Sequence, residues 1–282
     1  MKRPDMTTRR TFIAQSTLLG LSSLLLPHIG YAASKTRGYG VQLYTFRDSM
    51  LAKPIETLAQ ISDLGFKTIE TAGSPKGYYY GLAPSEMRNI CADLGMKLTS
   101  GHVHLDADFE QTIADAVVAG QEYLICSSMP SNGQTVENYQ RVADQFNAAG
   151  EACKNAGLKF GYHNHEYEFE MEEGQVLYDV LLDTTQQDLV HMELDLGWVI
   201  VAGKDPLSYF KNYPGRFPLW HLKDMHMKKK ESTEFGKGGL DIPLLLKNKV
   251  LSGVEHIFIE QEEYATTPLE SMRYNLRYLQ NI

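Results

Sequence analysis

Imidazole, carboxylate and amine side chains recur along this chain directly after short apolar segments. In chain order they are Glu70, then His102 and His104, His163 with Asn164 and His165, Asp195, His221 with Lys223 and Asp224, and finally Glu260 with Gln261 and Glu262. If the apolar segments are parallel strands of one sheet, these polar groups gather where the strands end. Side chains two residues apart face the same side of a strand, so three pairs could each point inward together: His102 with His104, His163 with His165, and Glu260 with Glu262.

Such a gathering of polar groups needs a compensating charge. Burying a carboxylate or an imidazole without a partner costs several kcal/mol, and a divalent cation offsets this cost for several groups at once. Imidazole nitrogens together with carboxylate oxygens suit Mn, Co, Zn, Fe or Mg, and the absence of a nearby cysteine argues against a structural zinc site. The sequence therefore predicts one divalent metal ion, whose identity it leaves open.

The elements that position these groups are eight short β-branched or aromatic segments, each followed by a helical pattern. The predicted strands centre on Gly40–Tyr44, Lys67–Thr71, Lys97–His102, Tyr123–Ser127, Lys159–His163, Val190–Asp195, Leu219–Lys223 and Ile257–Gln261. Strict alternation of strands and helices implies a parallel sheet, and eight units permit its closure into a (β/α)8 TIM barrel. The alternative is an open doubly wound sheet, but the turn after the first strand lacks the glycines that usually mark it.

A glycine recurs at the same place in three of these repeated units. Gly65, Gly95 and Gly157 each stand between a helical pattern and the next predicted strand. A glycine at this place supplies the left-handed residue that ends a helix. Its recurrence supports a chain built from repeated helix-to-strand units.

The first 33 residues differ from the rest of the chain. Four basic residues precede an apolar run over residues 18–26, and small residues follow near Ala32. The segment Thr8–Ile13, with Arg9 and Arg10, resembles a twin-arginine export signal. We therefore expect residues 1–33 to be a cleaved signal peptide, residues 34–282 to form a single domain, and the protein to be periplasmic or otherwise exported. A membrane anchor is the alternative, but the apolar run is too short to span a bilayer comfortably.

Charge and cysteine content narrow the class of partner. The chain has 27 basic and 35 acidic residues, a formal net charge of −8, and loss of residues 1–33 with their four basic residues and one acidic residue would make it −11. An acidic protein repels phosphate backbones, so nucleic acid is not an expected partner. Cys91, Cys126 and Cys153 are widely spaced and odd in number, which favours buried apolar residues. Their disulfide state stays open.

Five sequence segments resemble the xylose isomerase-like TIM barrel family, which includes sugar phosphate isomerase/epimerase-like proteins and 3-keto-glycoside lyases and epimerases. These segments are Gly161–Phe169 (GYHNHEYEF), Glu193–Trp198 (ELDLGW), Trp220–Asp224 (WHLKD), Gly236–Asp241 (GKGGLD) and Phe258–Glu262 (FIEQE). The resemblance runs through essentially all of residues 34–282. It implies a barrel that binds one divalent ion and acts on a sugar.

The resemblance also implies a set of metal ligands. Relatives hold the ion with Glu, Asp, His and Glu on strands five to eight, which places Asp195, His221 and Glu260 in the last three positions. His163 stands at the strand-five position, where the relatives have glutamate. In the ketose epimerases, that glutamate and the one on strand eight are also the two proton-transfer bases, so the substitution departs from a simple two-glutamate epimerase.

The remaining polar residues are assigned to catalysis and substrate binding. We expect Glu260, His163 or His165 to act as the base, and Lys223 to hydrogen-bond developing negative charge on the substrate. An ion pair with Asp224 or Glu70 is the alternative for Lys223. The expected substrate contacts are Glu70, His102, His104, Asn164, Trp198 and Glu262. Aromatic surfaces for a sugar ring are offered by Trp198, Tyr44, Phe46 and Tyr78–Tyr80.

The leading hypothesis is a metal-dependent isomerase or epimerase of an unphosphorylated sugar or keto-sugar. The absence of an evident phosphate cradle supports this, although Gly236–Gly239 could serve as one. The alternative is a lyase or dehydratase that eliminates a β-substituent from a keto-sugar such as a 3-keto-glycoside, which requires only one base. A non-catalytic sugar-binding barrel is a third hypothesis. An endonuclease sharing this fold is the weakest, because of the negative charge. A homodimer is an additional expectation.

Overall fold

Eight parallel strands form a closed barrel in which each strand pairs with its neighbours in sequence and the first pairs with the eighth. The computed structural model describes residues 38–282, so the predicted signal peptide lies outside the described residues. The barrel strands are Tyr39–Gln42, Thr68–Thr71, Lys97–Val103, Tyr123–Cys126, Lys159–His163, Val190–Asp195, Leu219–Leu222 and His256–Ile259. The predicted (β/α)8 barrel is therefore confirmed.

Ten helices surround or connect these strands within the described residues. They are α1 (Arg47–Ala52), α2 (Pro54–Leu64), α3 (Pro84–Asp93), α4 (Phe109–Ala119), α5 (Val136–Asn155), α6 (Leu177–Thr184), α7 (Leu196–Val201), α8 (Pro206–Asn212), α9 (Ile242–Lys247) and α10 (Pro268–Gln280). Short 3₁₀ turns span Leu43–Phe46, Tyr167–Phe169 and Lys249–Ser252, and two small hairpins pair Met171–Glu172 with Gln175–Val176 and Asp224–His226 with Glu231–Thr233. No helix among residues 38–282 is both long and apolar enough to cross a bilayer.

The predicted left-handed conformation of the three recurring glycines is confirmed. Gly65, Gly95 and Gly157 have φ angles of 101°, 67° and 79° and stand within two residues of the ends of α2, α3 and α5. A side chain would be strained in this left-handed region, which explains why glycine recurs there.

The first strand ends earlier than predicted, because the Gln42 side chain accepts a hydrogen bond from the Tyr44 backbone N–H at 3.1 Å and starts a 3₁₀ turn.

The inside of the barrel changes from apolar to polar along the strands. Leu219 and Phe258 are fully buried and belong to one apolar cluster. His221 and Glu260 follow them by two residues on the same strand faces, which brings both polar groups inward at the carboxyl ends. The apolar layer therefore closes the barrel beneath the polar one.

Barrel closure depends on a glycine of the first strand. Gly40 pairs with Phe258, and a Cβ on Gly40 would lie 2.5 Å from Phe258 Cδ1 and 2.6 Å from Thr68 Oγ1. We expect Gly40→Ala to destabilise the protein by about 1–3 kcal/mol, because a packed core cannot absorb the extra methyl group. Gly38→Ala is the matched control, since a Cβ there has no neighbour within 4 Å. Equal denaturant midpoints for the two variants would contradict this close approach.

All three cysteines are free and buried. Burial raises the pKa of the Cys126 thiol and of the Cys91 thiol to about 11, and that of the Cys153 thiol to about 12. Because only the thiolate reacts with disulfide reagents, we expect no titratable thiol in the native protein and three in denaturant. Rapid labelling of the native protein would contradict this arrangement, and fewer than three thiols in denaturant would reveal a disulfide.

Candidate metal centre

A cavity of about 690 Å³ opens at the carboxyl ends of the strands. Seven of the predicted site residues line it: His102, His104, His163, His165, Lys223, Glu260 and Glu262. Asp195 and His221 are fully buried at the ends of the sixth and seventh strands and do not line the cavity. Asp195 contacts His163, and His221 contacts Glu260. The structure thus brings the predicted catalytic residues and metal ligands to one place.

The predicted ligands form a compact group. His163, Asp195, His221 and Glu260 each offer one donor atom, and these four atoms lie within 4.8 Å of one another. His221 Nδ1 is 3.0 Å from Glu260 Oε2 and 3.9 Å from Asp195 Oδ2, and His163 Nε2 is 3.4 Å from the same Asp195 oxygen. Two nitrogens and two carboxylates at this spacing are a suitable donor set for a divalent transition metal.

His221 is held so that its Nδ1 faces this group. Its other nitrogen, Nε2, lies 2.7 Å from Glu70 Oε1, which also accepts a hydrogen bond from Gln42 Nε2 at 2.9 Å. Metal-binding histidines commonly use a carboxylate in this way to fix ring orientation and tautomer. Glu70, expected to contact substrate, does not line the cavity; it lies deeper in the barrel and positions His221.

His163 is available as a ligand. Neither of its ring nitrogens makes a hydrogen bond among the described residues, although the ring is almost completely buried. Burial, followed by the neighbouring His221 and His102, holds the pKa of His163 well below its usual value. The imidazole is therefore neutral near pH 7 and keeps a lone pair for a metal.

Asn164 orients Asp195. The Asp195 N–H donates to Asn164 Oδ1 at 3.0 Å, and Asn164 Nδ2 donates to the Asp195 carbonyl at 3.4 Å. Asp195 Oδ1 in turn caps α7 by accepting from the Trp198 N–H at 3.0 Å, which leaves Oδ2 facing His163. The structure thus places Asn164, expected to bind substrate, against the sixth strand and outside the cavity lining, because its amide is used by backbone groups.

Lys223 lies among three carboxylates. Its Nζ is 3.0 Å from Asp195 Oδ2, 2.7 Å from Glu260 Oε2 and 2.8 Å from Glu262 Oε1. Burial alone would lower the pKa of Lys223, but Asp195 and Glu260 raise it well above its usual value. Lys223 is therefore a fixed positive charge at the cavity wall, and its partners differ from the Asp224 or Glu70 pairing considered above.

Trp198 lies beside this lysine. Its ring is 5.1 Å from Lys223 Nζ, and Trp198 is not among the residues that line the cavity. Of the other aromatic candidates, Tyr44 and Tyr78 line the cavity, whereas Phe46 is buried in the core. Tyr79 and Tyr80 are also buried there.

Glu193 is a site residue that the sequence analysis missed. It is fully buried, and its Oε2 lies 2.6 Å from His102 Nε2 and 3.2 Å from His221 Nε2. Burial raises the pKa of Glu193 to about 7. The sequence does indicate this position, because Glu193 precedes Asp195 by two residues on one strand and so faces the same side.

The centre gathers four buried carboxylates; burial alone would lower the pKa of His221, but Glu193 and Glu260 raise it well above its usual value. Glu70, Glu193, Asp195 and Glu260 are all buried, and Lys223 is the one buried lysine among the described residues that faces them. Within residues 38–282, one oxygen each of Glu70 and Glu193 and both ring nitrogens of the ligand His163 have no hydrogen-bond partner. Buried polar atoms without a partner are costly, so the residues present fit a bound divalent metal.

The glycine-rich loop does not form a phosphate cradle. The N–H groups of Gly236 and Gly238 donate to Asp224 Oδ2 at 2.9 and 3.0 Å, and the Leu240 N–H donates to Oδ1 at 3.0 Å. A phosphate would need these same donors. Asp224 therefore organises the loop internally, and these N–H groups are not available to a phosphate.

Comparison with known proteins identifies the family. A model of the xylose isomerase-like TIM barrel family matches residues 58–282, and the chain belongs to this family. An inosose dehydratase of Clostridium perfringens is 32% identical over 101 residues, which cover 36% of this chain and 33% of that protein. The chain thus aligns with about a third of the length of this relative.

Solved structures agree with the family assignment. A protein from Parabacteroides distasonis described as a sugar phosphate isomerase/epimerase is 25% identical, with a TM-score of 0.77 over 88% of this chain and 95% of its own. A xylose isomerase-like TIM barrel protein from Mycobacterium smegmatis, solved in complex with magnesium, is 14% identical with a TM-score of 0.64 over 88% of this chain and 97% of its own, and shows the shared fold. The relatives thus carry both dehydratase and isomerase/epimerase names within one enzyme superfamily.

Proposed function

We propose that this protein is a divalent-metal-dependent enzyme that removes a proton from the carbon next to the carbonyl of an unphosphorylated keto-sugar. The observation that carries this proposal is the buried group of His163, Asp195, His221 and Glu260 beside the cavity. These four residues would hold the metal, which when bound withdraws electrons from a carbonyl or hydroxyl and so acidifies the adjacent C–H.

His165 is the base in this proposal. It lines the cavity, and its ring is outside the ligand group. Burial and then Lys223 lower the pKa of His165 to about 4, so the ring is unprotonated near pH 7. His163 and Glu260, the other expected bases, are engaged in the ligand group.

Lys223 stabilises the negative charge that develops on the substrate oxygen when the proton leaves. Its ammonium is held by three carboxylates, so it needs little reorganisation during the reaction. Glu262, which is partly exposed at the cavity, and the lining residues His102 and His104 are left to contact sugar hydroxyls. Because the carbanion electrons move to oxygen, a fixed cation at this position lowers the barrier.

Two outcomes follow from the same proton removal. Return of a proton to a neighbouring carbon or to the opposite face gives an isomer or epimer, in line with the name of the Parabacteroides relative. Alternatively, the electron pair expels a β-oxygen substituent, which leaves with a proton and yields an unsaturated ketone. The dehydratase name of the Clostridium relative favours this second outcome.

An exchange experiment in D₂O separates these outcomes. The metal-loaded protein is incubated with a free ketose and, separately, with a 3-keto-glycoside, and the products are followed by NMR. Deuterium at the carbon next to the carbonyl, together with an epimer or isomer, marks an isomerase. Released aglycone marks a lyase, whose unsaturated product has lost the hydrogen at that carbon and needs no deuterium there. Neither deuterium exchange nor released aglycone with either compound would contradict the proposed proton removal on these substrates.

A further inference from the structure

We propose that this centre selects a divalent transition metal that favours nitrogen ligands, of the zinc and cobalt class, and discriminates against Mg²⁺. The inference rests on the proposed function, since it concerns the same four ligands. It depends on three features of the centre: two imidazole donors, a lysine that offsets carboxylate charge, and a tightly packed surrounding.

The donor set is half nitrogen. His163 and His221 provide two imidazoles, and Asp195 and Glu260 provide two carboxylates. Mg²⁺ is a hard cation that is bound mainly by oxygen, whereas imidazole suits Zn, Co, Fe and Ni. His163 has no other hydrogen-bond partner among the described residues, so its nitrogen is free to act as a ligand.

Lys223 weakens the centre for a hard cation in particular. The two carboxylates of the donor set carry two negative charges, and the ammonium lies 2.7 Å from Glu260 Oε2 and 3.0 Å from Asp195 Oδ2. The net charge offered by these three groups is therefore about one negative unit. Mg²⁺ depends on this charge, whereas a transition metal also bonds to the two uncharged imidazoles.

Packed imidazole rings confine the water shell that Mg²⁺ usually keeps to the side of the ligand group that faces the cavity. The rings of His102, His163 and His221 have centroids 4.5–5.0 Å apart, with His102 and His221 stacked at 7°. All four ligand side chains are buried. A protein site for Mg²⁺ commonly retains several waters in octahedral geometry, whereas Zn²⁺ accepts four protein-type ligands in a tetrahedral arrangement.

The test measures metal affinities directly. The full-length protein is stripped with a chelator and titrated separately with Zn²⁺, Co²⁺ and Mg²⁺, using competition with a chromophoric chelator and the visible absorption of Co²⁺. Most sites bind Zn²⁺ more tightly than Mg²⁺, so the informative quantity is the change in this preference on substitution. We expect His163→Glu to narrow the Zn²⁺ to Mg²⁺ affinity ratio by at least roughly tenfold, because it exchanges a nitrogen donor for a charged oxygen donor.

His104→Glu is the matched control, because His104 lines the same cavity but is outside the ligand group, and it should leave the ratio unchanged. Lys223→Gln should raise the affinity for Mg²⁺ while retaining both imidazoles. If circular dichroism shows that His163→Glu does not fold, the Mg²⁺ affinity of Lys223→Gln tests the discrimination against Mg²⁺ instead. An unchanged ratio in His163→Glu, no gain of Mg²⁺ affinity in Lys223→Gln, or equal binding of Mg²⁺ and Co²⁺ by the wild type would overturn the inference. Failure of all three ions to bind would instead contradict the proposed function.

Discussion

Asp195→Asn should lose metal binding and reduce turnover by about 10²–10³-fold or more, the scale on which single catalytic electrostatic groups contribute. Asp195 is fully buried, and its Oδ2 faces both His163 and Lys223. Asparagine keeps the size of the side chain but removes the negative charge. It also retains an oxygen that can cap α7, because Asn and Asp are comparable capping residues. The effect on metal is therefore separable from an effect on folding.

Asp205→Asn is the control for this substitution. Asp205 caps α8 by accepting a hydrogen bond from the Leu207 N–H at 3.0 Å, which is the same structural role that Asp195 has in α7. We expect Asp205→Asn to retain metal and turnover, as judged by elemental analysis and the D₂O exchange rate. If Asp195→Asn keeps its affinity for the sugar, and neither it nor the wild type turns over, a non-catalytic sugar-binding barrel would replace the proposed enzyme.

Lys223→Gln should reduce turnover by roughly 10²-fold or more while metal remains bound, because it removes the positive charge that stabilises developing negative charge on the substrate. It also removes the cation that pairs with Asp195, Glu260 and Glu262. Removing one member of a buried ion pair commonly costs about 3–5 kcal/mol. We therefore expect a lower melting temperature in the metal-free variant and partial recovery when metal is added.

Lys230→Gln provides the comparison for an exposed ion pair. Lys230 Nζ lies 2.9 Å from Glu166 Oε2, and both side chains are substantially exposed to solvent. Such surface pairs contribute about 0–1 kcal/mol, so stability and turnover should be nearly unchanged. Wild-type turnover in Lys223→Gln would remove this lysine from the mechanism, and equal stability losses in the two lysine variants would contradict its placement in a buried network.

The pattern of strands and helices was sufficient to predict the barrel and the gathering of polar residues at one end, whereas the ligand set was implied by the resemblance to the family. Strict alternation of strands and helices, together with the recurring glycines Gly65, Gly95 and Gly157, predicts the (β/α)8 fold. Since the carboxyl ends of the strands meet at one face, the residue type and position of Asp195, His221 and Glu260 were enough to predict that they lie together. The structure places them with His163 in one group.

Depth within the barrel could not be predicted from the pattern. Glu70, Asn164 and Trp198 were expected to contact substrate, and the structure places all three outside the cavity lining. Alternation identifies the face of a strand on which a side chain lies, but depth also depends on stagger between strands and on rotamers. Glu70 instead supports His221, and Asn164 holds the backbone of Asp195.

Two other features of the site, Glu193 and the role of Asp224, were not predicted, for different reasons. Glu193 lies two residues before Asp195 on the same strand, so alternation alone places it on the same face. The role of Asp224 depends on contacts with Gly236, Gly238 and Leu240, which are more than ten residues away along the chain. Sequence alone does not specify how a loop folds back on a strand end, which is why Gly236–Gly239 still suggested a phosphate cradle.

The metal content of the purified wild-type protein shows whether His163, Asp195, His221 and Glu260 bind an ion. Elemental analysis after exposure to Mn, Co or Zn, with His221→Ala measured in parallel, gives the number of ions per chain. We expect about one equivalent in the wild type and loss of that ion in the variant, because His221 would contribute one of four ligands. No bound metal in the wild type under any of these conditions would contradict the account.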